Sequence, residues 1–209
     1  MTKIKLCGLS RPRDIEAANR LRPDYVGFVF AEKSRRYVSP EQAAALKALL
    51  DDGIRAVGVF VDADAAFVAG LLDANVIDVA QLHGHEDDAY IRRLRALTDR
   101  PIIQAIRVEN EADLRRARSS LADHILLDNG AGGTGAAFDW SLLEGFDRPY
   151  FLAGGLGPDN VAEAVRRLHP YAVDVSSGVE TDGHKDAQKM RRFVEAVRAA
   201  SEGDRHEQQ

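Results

Sequence analysis

The 209-residue chain reads as an α/β protein that folds into a (β/α)8 barrel of the TIM type, one domain over residues 1–200. Three observations carry this. Strand-like and helix-like segments alternate from Lys3 to Ala199, which implies parallel strands joined by right-handed crossovers. The alternation counts eight units of about 26 residues, a number that closes into a barrel at the compact end of its usual size. Polar residues and glycines gather at the C-terminal ends of the strands, where that fold carries its chemistry. An open doubly wound sheet is the alternative, and it requires a reversal of strand order that a sequence does not display.

The elements follow in order. Lys3–Cys7 is a strand whose alternation puts Ile4 and Leu6 on one face and Lys5 and Cys7 on the other. A helix spans Pro12–Leu21, with Pro at its start and Ser10 as a possible cap. Tyr25–Phe30 is the second strand, and Pro40–Leu50 a helix capped by Ser39. Arg55–Val61 precedes a helix at Asp64–Ala74, with Asp62 as its candidate cap. Val76–Leu82 and Asp87–Leu97 form the fourth unit, Pro101–Val108 and Glu111–Arg118 the fifth. His124–Leu127 is followed by a short helix near Asp139–Leu143. Tyr150–Ala153 and Pro158–Leu168 make the seventh unit, Ala172–Val175 and Ala187–Ala199 the eighth. Ser201–Gln209 is polar and aperiodic, the pattern of a disordered tail.

Composition narrows the function classes. Hydrophobic residues make up 45% and charged residues 29%, as in ordinary globular proteins. The net charge of −5 argues against a general nucleic-acid surface, so anion binding must be local. No apolar run approaches the ~20 residues of a membrane helix, and the N-terminus enters a strand without a secretory apolar core. Cys7 is the only cysteine, which excludes an internal disulfide and suits a reducing cytoplasm. No Cys/His cluster suggests a metal.

A lone cysteine is ordinarily a small buried hydrophobe. Cys7, however, stands at an open strand end followed by Gly8, where a ligand can approach closely. Lys5, two residues back on the same face, is placed to lower its pKa. Ala153-Gly154-Gly155-Leu156 and Ser176-Ser177-Gly178 close the last two strands, the place where barrels commonly cup a phosphate in backbone N–H groups. Asp128 ends the sixth strand, either as a loop-solvating acid or as a general acid among apolar neighbours. Arg36 is suited to a bidentate hold on a carboxylate, with one of the pair Arg35 and Arg36 expected to be solvated. His83 reads as polar lining or a proton carrier. Glu180, Asp182 and His184 read as a solvated loop. Gly130–Gly135 matches GxGxxG, but a short following helix and no acid about 20 residues on argue for a loop beside the site rather than a dinucleotide fingerprint.

Taken together, these stretches resemble the phosphoribosylanthranilate isomerase family. The likeness is carried by Lys5-Leu6-Cys7-Gly8, Gly27-Phe28-Val29-Phe30, Ser34-Arg35-Arg36-Tyr37-Val38, Gln81-Leu82-His83-Gly84 and Leu127-Asp128. Gly132-Gly133-Thr134-Gly135 with Phe138-Asp139-Trp140, Ala153-Gly154-Gly155-Leu156 with Pro158 and Asn160-Val161, and Asp174–Glu180 with Gly183, Lys185-Asp186 and Lys189 complete it. The matches run in order from residue 3 to about 193. Asn129 departs from the pattern, standing where a hydroxyl residue is more usual.

The resemblance implies an isomerase of tryptophan biosynthesis. It would convert N-(5′-phosphoribosyl)anthranilate to 1-(2-carboxyphenylamino)-1-deoxyribulose 5-phosphate by an Amadori rearrangement, without metal or other cofactor. It further implies Cys7 as general base and Asp128 as general acid. Arg36, Gln81 and His83 would bind substrate, and Gly154, Gly155, Ser177 and Gly178 the phosphate. The expected partner is a small phosphosugar, not nucleic acid or membrane, and the expected state a monomer or homodimer. A phosphosugar isomerase of histidine biosynthesis would share the phosphate cup but place Asp rather than Cys7 at the first strand end. Indole-glycerol-phosphate synthase would need catalytic Lys and Glu inside the barrel. A non-catalytic phosphate sensor would need neither Cys7 nor Asp128.

Overall fold

Eight strands hydrogen-bond in sequence order, and the eighth pairs back onto the first to close the barrel. They are β1 (Lys3–Cys7), β2 (Tyr25–Val29), β3 (Arg55–Phe60), β4 (Val79–Leu82), β5 (Ile102–Arg107), β6 (His124–Asp128), β7 (Tyr150–Ala153) and β8 (Ala172–Val175). The structure, a computed structural model, describes residues 1–128 and 140–207, the last four as backbone only. The expected loop at Gly130–Gly135 lies outside the described residues.

Alternation along the strands sorts side chains into two cores. Ile4, Leu6, Phe28, Phe60 and Leu152 face outward and pack under the helices. Tyr25, Val57, Val79, Ile103, Leu126 and Phe151 fill the barrel interior, with Tyr25 and Phe151 meeting edge to face at 5.4 Å. Above them, at the C-terminal mouth, Cys7 packs with Val29 and Val59.

The helices among the described residues are α1 (Pro12–Leu21), α2 (Pro40–Lys47), α3 (Ala65–Asp73), α4 (Asp88–Arg95), α5 (Glu111–Ser119), α6 (Val161–Leu168) and α7 (Ala187–Glu207). A 3-10 turn at Trp140–Leu143 stands between β6 and β7. Ser39 caps α2 as expected, accepting from Gln42 N at 3.2 Å, while Gln42 Oε1 accepts from Ser39 N at 2.9 Å.

Two expected caps are displaced. Asp14, not Ser10, closes the start of α1, accepting from the N–H groups of Ser10 and Arg11 at 3.2 and 3.1 Å. Asp64, not Asp62, caps α3 through Ala66 N and Phe67 N. Asp62 adopts φ 52° and instead accepts from His85 N at 2.6 Å, so it ties two loops together. The last helix runs on to Glu207, past the expected end at Ala199. No helix among the described residues is long and apolar enough to cross a membrane.

Candidate active site

The barrel mouth is built from β1 upward. Lys5 is fully buried and donates to both carboxylate oxygens of Asp174 at 3.0 Å, across the β1–β8 seam where the two residues are in register. One turn of the pleat further on, Cys7 sits level with Gly27 on β2. A Cβ at Gly27 would lie 2.7 Å from Cys7 Sγ, so the absence of a side chain there is what makes room for the thiol.

Burial dominates the Cys7 thiol and pushes its pKa above the ordinary value. Lys5 pulls in the opposite direction, as its position on the strand implied, but does not outweigh burial. Asp174, to which the sequence reading gave no role, both pushes the thiol further up and engages the lysine. Burial also acts on Lys5, lowering its pKa, yet the carboxylate of Asp174 and the neighbouring thiol reverse the sign and hold the ammonium charged.

After β2 the chain turns tightly, with Ser34 N donating to Ala31 O and Tyr37 N to Ser34 O, and this delivers Arg36 to the mouth. Gly8 takes φ +77°, and any Cβ there would overlap Arg36 Cδ, so the end of β1 admits the arginine stem only as glycine.

Glu180 is the largest correction to the sequence reading. It is buried, at the start of a hairpin formed by β9 (Glu180–Thr181) and β10 (His184–Lys185), and not part of a solvated loop. Arg36 holds it side-on, Nε to Oε1 at 2.6 Å and Nη2 to Oε2 at 2.9 Å. Arg35 Nη2 donates to Oε2 at 2.8 Å, so neither arginine is simply solvated, although Arg35 stays largely exposed. Lys185 Nζ donates to Oε1 at 2.6 Å and to Ser176 O at 2.9 Å. Burial alone would raise the Glu180 carboxyl, but the hydrogen bonds from Arg36 and Lys185 pull it down to about 2. Asp182 and His184 keep to the rim of a cavity of about 310 Å³ that Gly8, Arg36, Glu180 and Lys185 also line.

On the far wall, Gln81 of β4 is buried and its Nε2 lies 2.9 Å from His83 Nδ1. His83 Nε2 lies 3.3 Å from Asp128 Oδ2 at the end of β6. Three residues expected at the site thus form one chain of contacts, and Asp128 has further partners besides His83.

The loops after β7 and β8 touch directly. Gly154 and Gly155 take φ +89° and +65°, conformations that favour glycine. A Cβ at Gly178 would overlap the carbonyl oxygen of Leu156, so these loops meet backbone to backbone. Asn160 pins the first of them, accepting from Gly157 N at 2.8 Å and donating to Gly155 O at 3.0 Å. Gly154, Gly155, Ser177 and Gly178 therefore stand together at adjacent strand ends.

A larger groove, about 850 Å³, lies on the outer wall beside α3 and α4. It gathers none of the strand-end residues, and its acids are already engaged: Asp64 caps α3 and Glu86 accepts from Asp62 N and Gly84 N at 2.7 Å. Among the described residues no group of three or more His, Cys, Asp or Glu side chains is placed to hold a metal.

The chain has known relatives. Residues 4–196 match the family model described as N-(5'phosphoribosyl)anthranilate (PRA) isomerase. The chain belongs to that family. A relative from Thermoanaerobacter sp. (strain X514) is 47% identical over 204 residues, covering 95% of this chain and 98% of the relative. One from Endomicrobium trichonymphae is 44% identical over 203 residues, covering 95% and 100%. Both bear the name N-(5'-phosphoribosyl)anthranilate isomerase. The crystal structure of the Thermotoga maritima phosphoribosyl anthranilate isomerase superposes with a TM-score of 0.86 at 36% identity, covering 95% of this chain and all of that one. A family structure in complex with reduced 1-(o-carboxyphenylamino)-1-deoxyribulose 5-phosphate gives 0.84 at 35% identity over the same shares. The 3-hexulose-6-phosphate synthase of Salmonella typhimurium, at 15% identity and TM-score 0.72, shares the fold alone.

Asp174, Glu180 and Lys185 are the site residues that sequence reasoning missed. For Asp174 a signal existed: in Ala172-Val173-Asp174-Val175 the alternation that turns Val173 and Val175 outward turns Asp174 into the barrel, as it turns Lys5 on β1. An acid and a base facing the interior of one barrel imply each other.

Proposed function

We propose that this chain catalyses the Amadori rearrangement of N-(5′-phosphoribosyl)anthranilate to 1-(2-carboxyphenylamino)-1-deoxyribulose 5-phosphate. The observation that carries the reading is the match to the isomerase family along residues 4–196, with relatives 47% and 44% identical across nearly their whole length. The geometry supports it by bringing a thiol, a carboxyl, an arginine and a glycine cup to one barrel mouth.

Asp128 acts as general acid. Its proton passes to the furanose ring oxygen, the bond from that oxygen to C1′ breaks, and the nitrogen lone pair forms an iminium. Cys7 acts as general base on the C2′ proton. Burial disfavours the thiolate that this step needs, so the thiol must first lose its proton to solvent, and Lys5 and Lys185 both favour that loss. The substrate iminium adds a third positive charge beside the sulfur, at the step that needs it. The electrons of the broken C2′–H bond flow toward nitrogen and give an enolamine, which tautomerises to the ketone. The substrate nitrogen is the electron sink, so the residues present suffice without a metal or redox group.

Arg36 holds the anthranilate carboxylate. Glu180 occupies its Nε and Nη2 edge, so the anthranilate carboxylate would be met through Nη1. Gln81 and His83 line the substrate, and the backbone at Gly154, Gly155, Ser177 and Gly178 receives the phosphate. Holding both ends makes the proton transfers oriented, effectively intramolecular steps. The protein works as a monomer or homodimer; a Thermotoga maritima relative described as dimeric has also been solved as monomers.

The test follows the fluorescence of freshly made N-(5′-phosphoribosyl)anthranilate. Wild type should consume it rapidly, while Cys7→Ser and Asp128→Asn should each lower kcat by roughly 10²–10⁴-fold, the usual contribution of a general acid or base. A silent wild type would overturn the function, and an active variant would move that residue's role to a neighbour.

A further inference from the structure

Gln81 is a long polar side chain buried in a barrel wall, and its only hydrogen bond among the described residues runs to a histidine ring. Among the described residues its buried Oε1 has no hydrogen-bond partner. Burying an amide in this way costs free energy, so the hydrogen bond it does make is informative. Which way the amide points follows from what each orientation leaves unmet. With Nε2 toward His83 Nδ1, at 2.9 Å, the carbonyl Oε1 and one of the two N–H groups go unmet. Reversed, Oε1 would accept from the ring and both N–H groups would go unmet, the costlier arrangement because a buried N–H is harder to leave unpaired than a buried carbonyl.

An amide N–H aimed at Nδ1 requires a lone pair there. A ring with one proton then carries it on Nε2, the nitrogen that lies 3.3 Å from Asp128 Oδ2. In that tautomer His83 donates to Asp128 and does not accept from it.

We infer that Gln81 is a positioning residue for the isomerisation: it fixes the Nε2–H tautomer of His83, and so directs the Asp128 proton to the substrate. This rests on the function proposed above. If Nε2 were bare, a protonated Asp128 would hydrogen-bond to it and hold its proton there, in competition with the furanose oxygen. With Nε2–H pointing at Asp128 that route is closed. When the Asp128 O–H bond breaks and the ring oxygen takes the proton, the carboxylate left behind is met by a donor already in place. The interaction strengthens as charge develops, which is the condition for accelerating a step.

The experiment uses the full-length protein labelled with 15N-histidine. The His83 ring signals are identified by their loss in His83→Asn. Wild type should show a protonated Nε2 and a bare Nδ1. Gln81→Leu, and Gln81→Met as a variant that keeps the packing of the stem, should show a mixture of tautomers. Their kcat should fall about tenfold, a part of the 10²–10⁴ that acid catalysis supplies, with a smaller change in KM. Gln81→Glu places an acceptor against Nδ1 and should move the proton onto it, with a larger loss of kcat. The inference is overturned by a wild-type ring protonated on Nδ1. It is equally overturned if Gln81→Met keeps the wild-type tautomer while losing activity, or changes tautomer at full kcat. A wild type inactive on N-(5′-phosphoribosyl)anthranilate would instead count against the function, and the ring signals would still decide the tautomer.

Discussion

Cys7 shows how one side chain is governed by opposing neighbours. Burial and Asp174 raise its pKa, and Lys5 and Lys185 lower it, with burial ahead. Thiolate absorbance in the free protein should therefore develop at higher pH than for an exposed cysteine, and Lys5→Met should delay it further by removing a cation that favours the thiolate. A thiol that ionised near neutrality would contradict this, and because Cys7 is the only cysteine the difference from Cys7→Ser separates its signal from that of the five tyrosines. Glu180 is the opposite case. Three cations bind its carboxylate, and its pKa falls from 4.5 to about 2 despite burial. A lowered carboxyl stabilises the fold above its unfolded value and loses that contribution as pH falls through the folded one. The urea midpoint advantage of wild type over Glu180→Gln should thus be complete above about pH 4.5 and narrow toward pH 2. A gap independent of pH over that window would show that the charge is not what Glu180 contributes.

The strands and loops add constraints that no single side chain carries. β7 and β8 end in loops that meet backbone to backbone at Leu156 and Gly178, with no space for a methyl group. Gly178→Ala must part those loops, because the obstructing atom is a carbonyl oxygen and not a side chain able to rotate away. The expected result is a raised KM for the phosphosugar and a loss of stability of about 1–3 kcal/mol, typical of overpacking. Inorganic phosphate, tested as a competitive inhibitor, should weaken in parallel. An unchanged inhibition constant would place the phosphate elsewhere. The same logic applies to Gly8, whose open side lets Arg36 pass, and to Gly27, whose open side admits the Cys7 sulfur. At Gly27 and Gly178 the glycine matters for the atom beside it, whereas at Gly8 the backbone itself, at φ +77°, also favours glycine.

Closing the barrel depends on the seam between the first and last strands. Lys5 and Asp174 meet there, fully buried and eight-percent exposed respectively. Removing one partner of such a pair leaves a charge without compensation, whereas replacing both with apolar groups is often neutral. Asp174→Leu should cost about 3–5 kcal/mol in urea unfolding, and adding Lys5→Met should recover much of that loss. If the double variant were as unstable as the single one, the pair would matter for its shape and not for charge balance. Both variants should lose activity, since each alters the charges around Cys7.

Periodicity alone was enough to read eight βα units, and strand-end position singled out Cys7, Asp128 and the glycine pairs as candidates, with Arg36 in the loop after β2; their roles were implied only by the family resemblance. Both properties are local: side-chain alternation has a period of two, and a glycine or acid after an apolar run is visible within a few residues. Element boundaries and caps were less sharply drawn, as Asp62 and Asp64 show, because two acids two residues apart compete for one helix start and a distant histidine claims the first. Glu180 was misread for a stronger form of the same reason. Its partners Arg35 and Arg36 lie 145 and 144 residues away, and a polar stretch looks solvated until the fold brings cations to it. Lys5 with Asp174, 169 residues apart, and His83 with Asp128, 45 apart, are likewise consequences of closure. Local pattern specifies which face a residue takes, but the partner across the barrel is chosen only when the eighth strand meets the first.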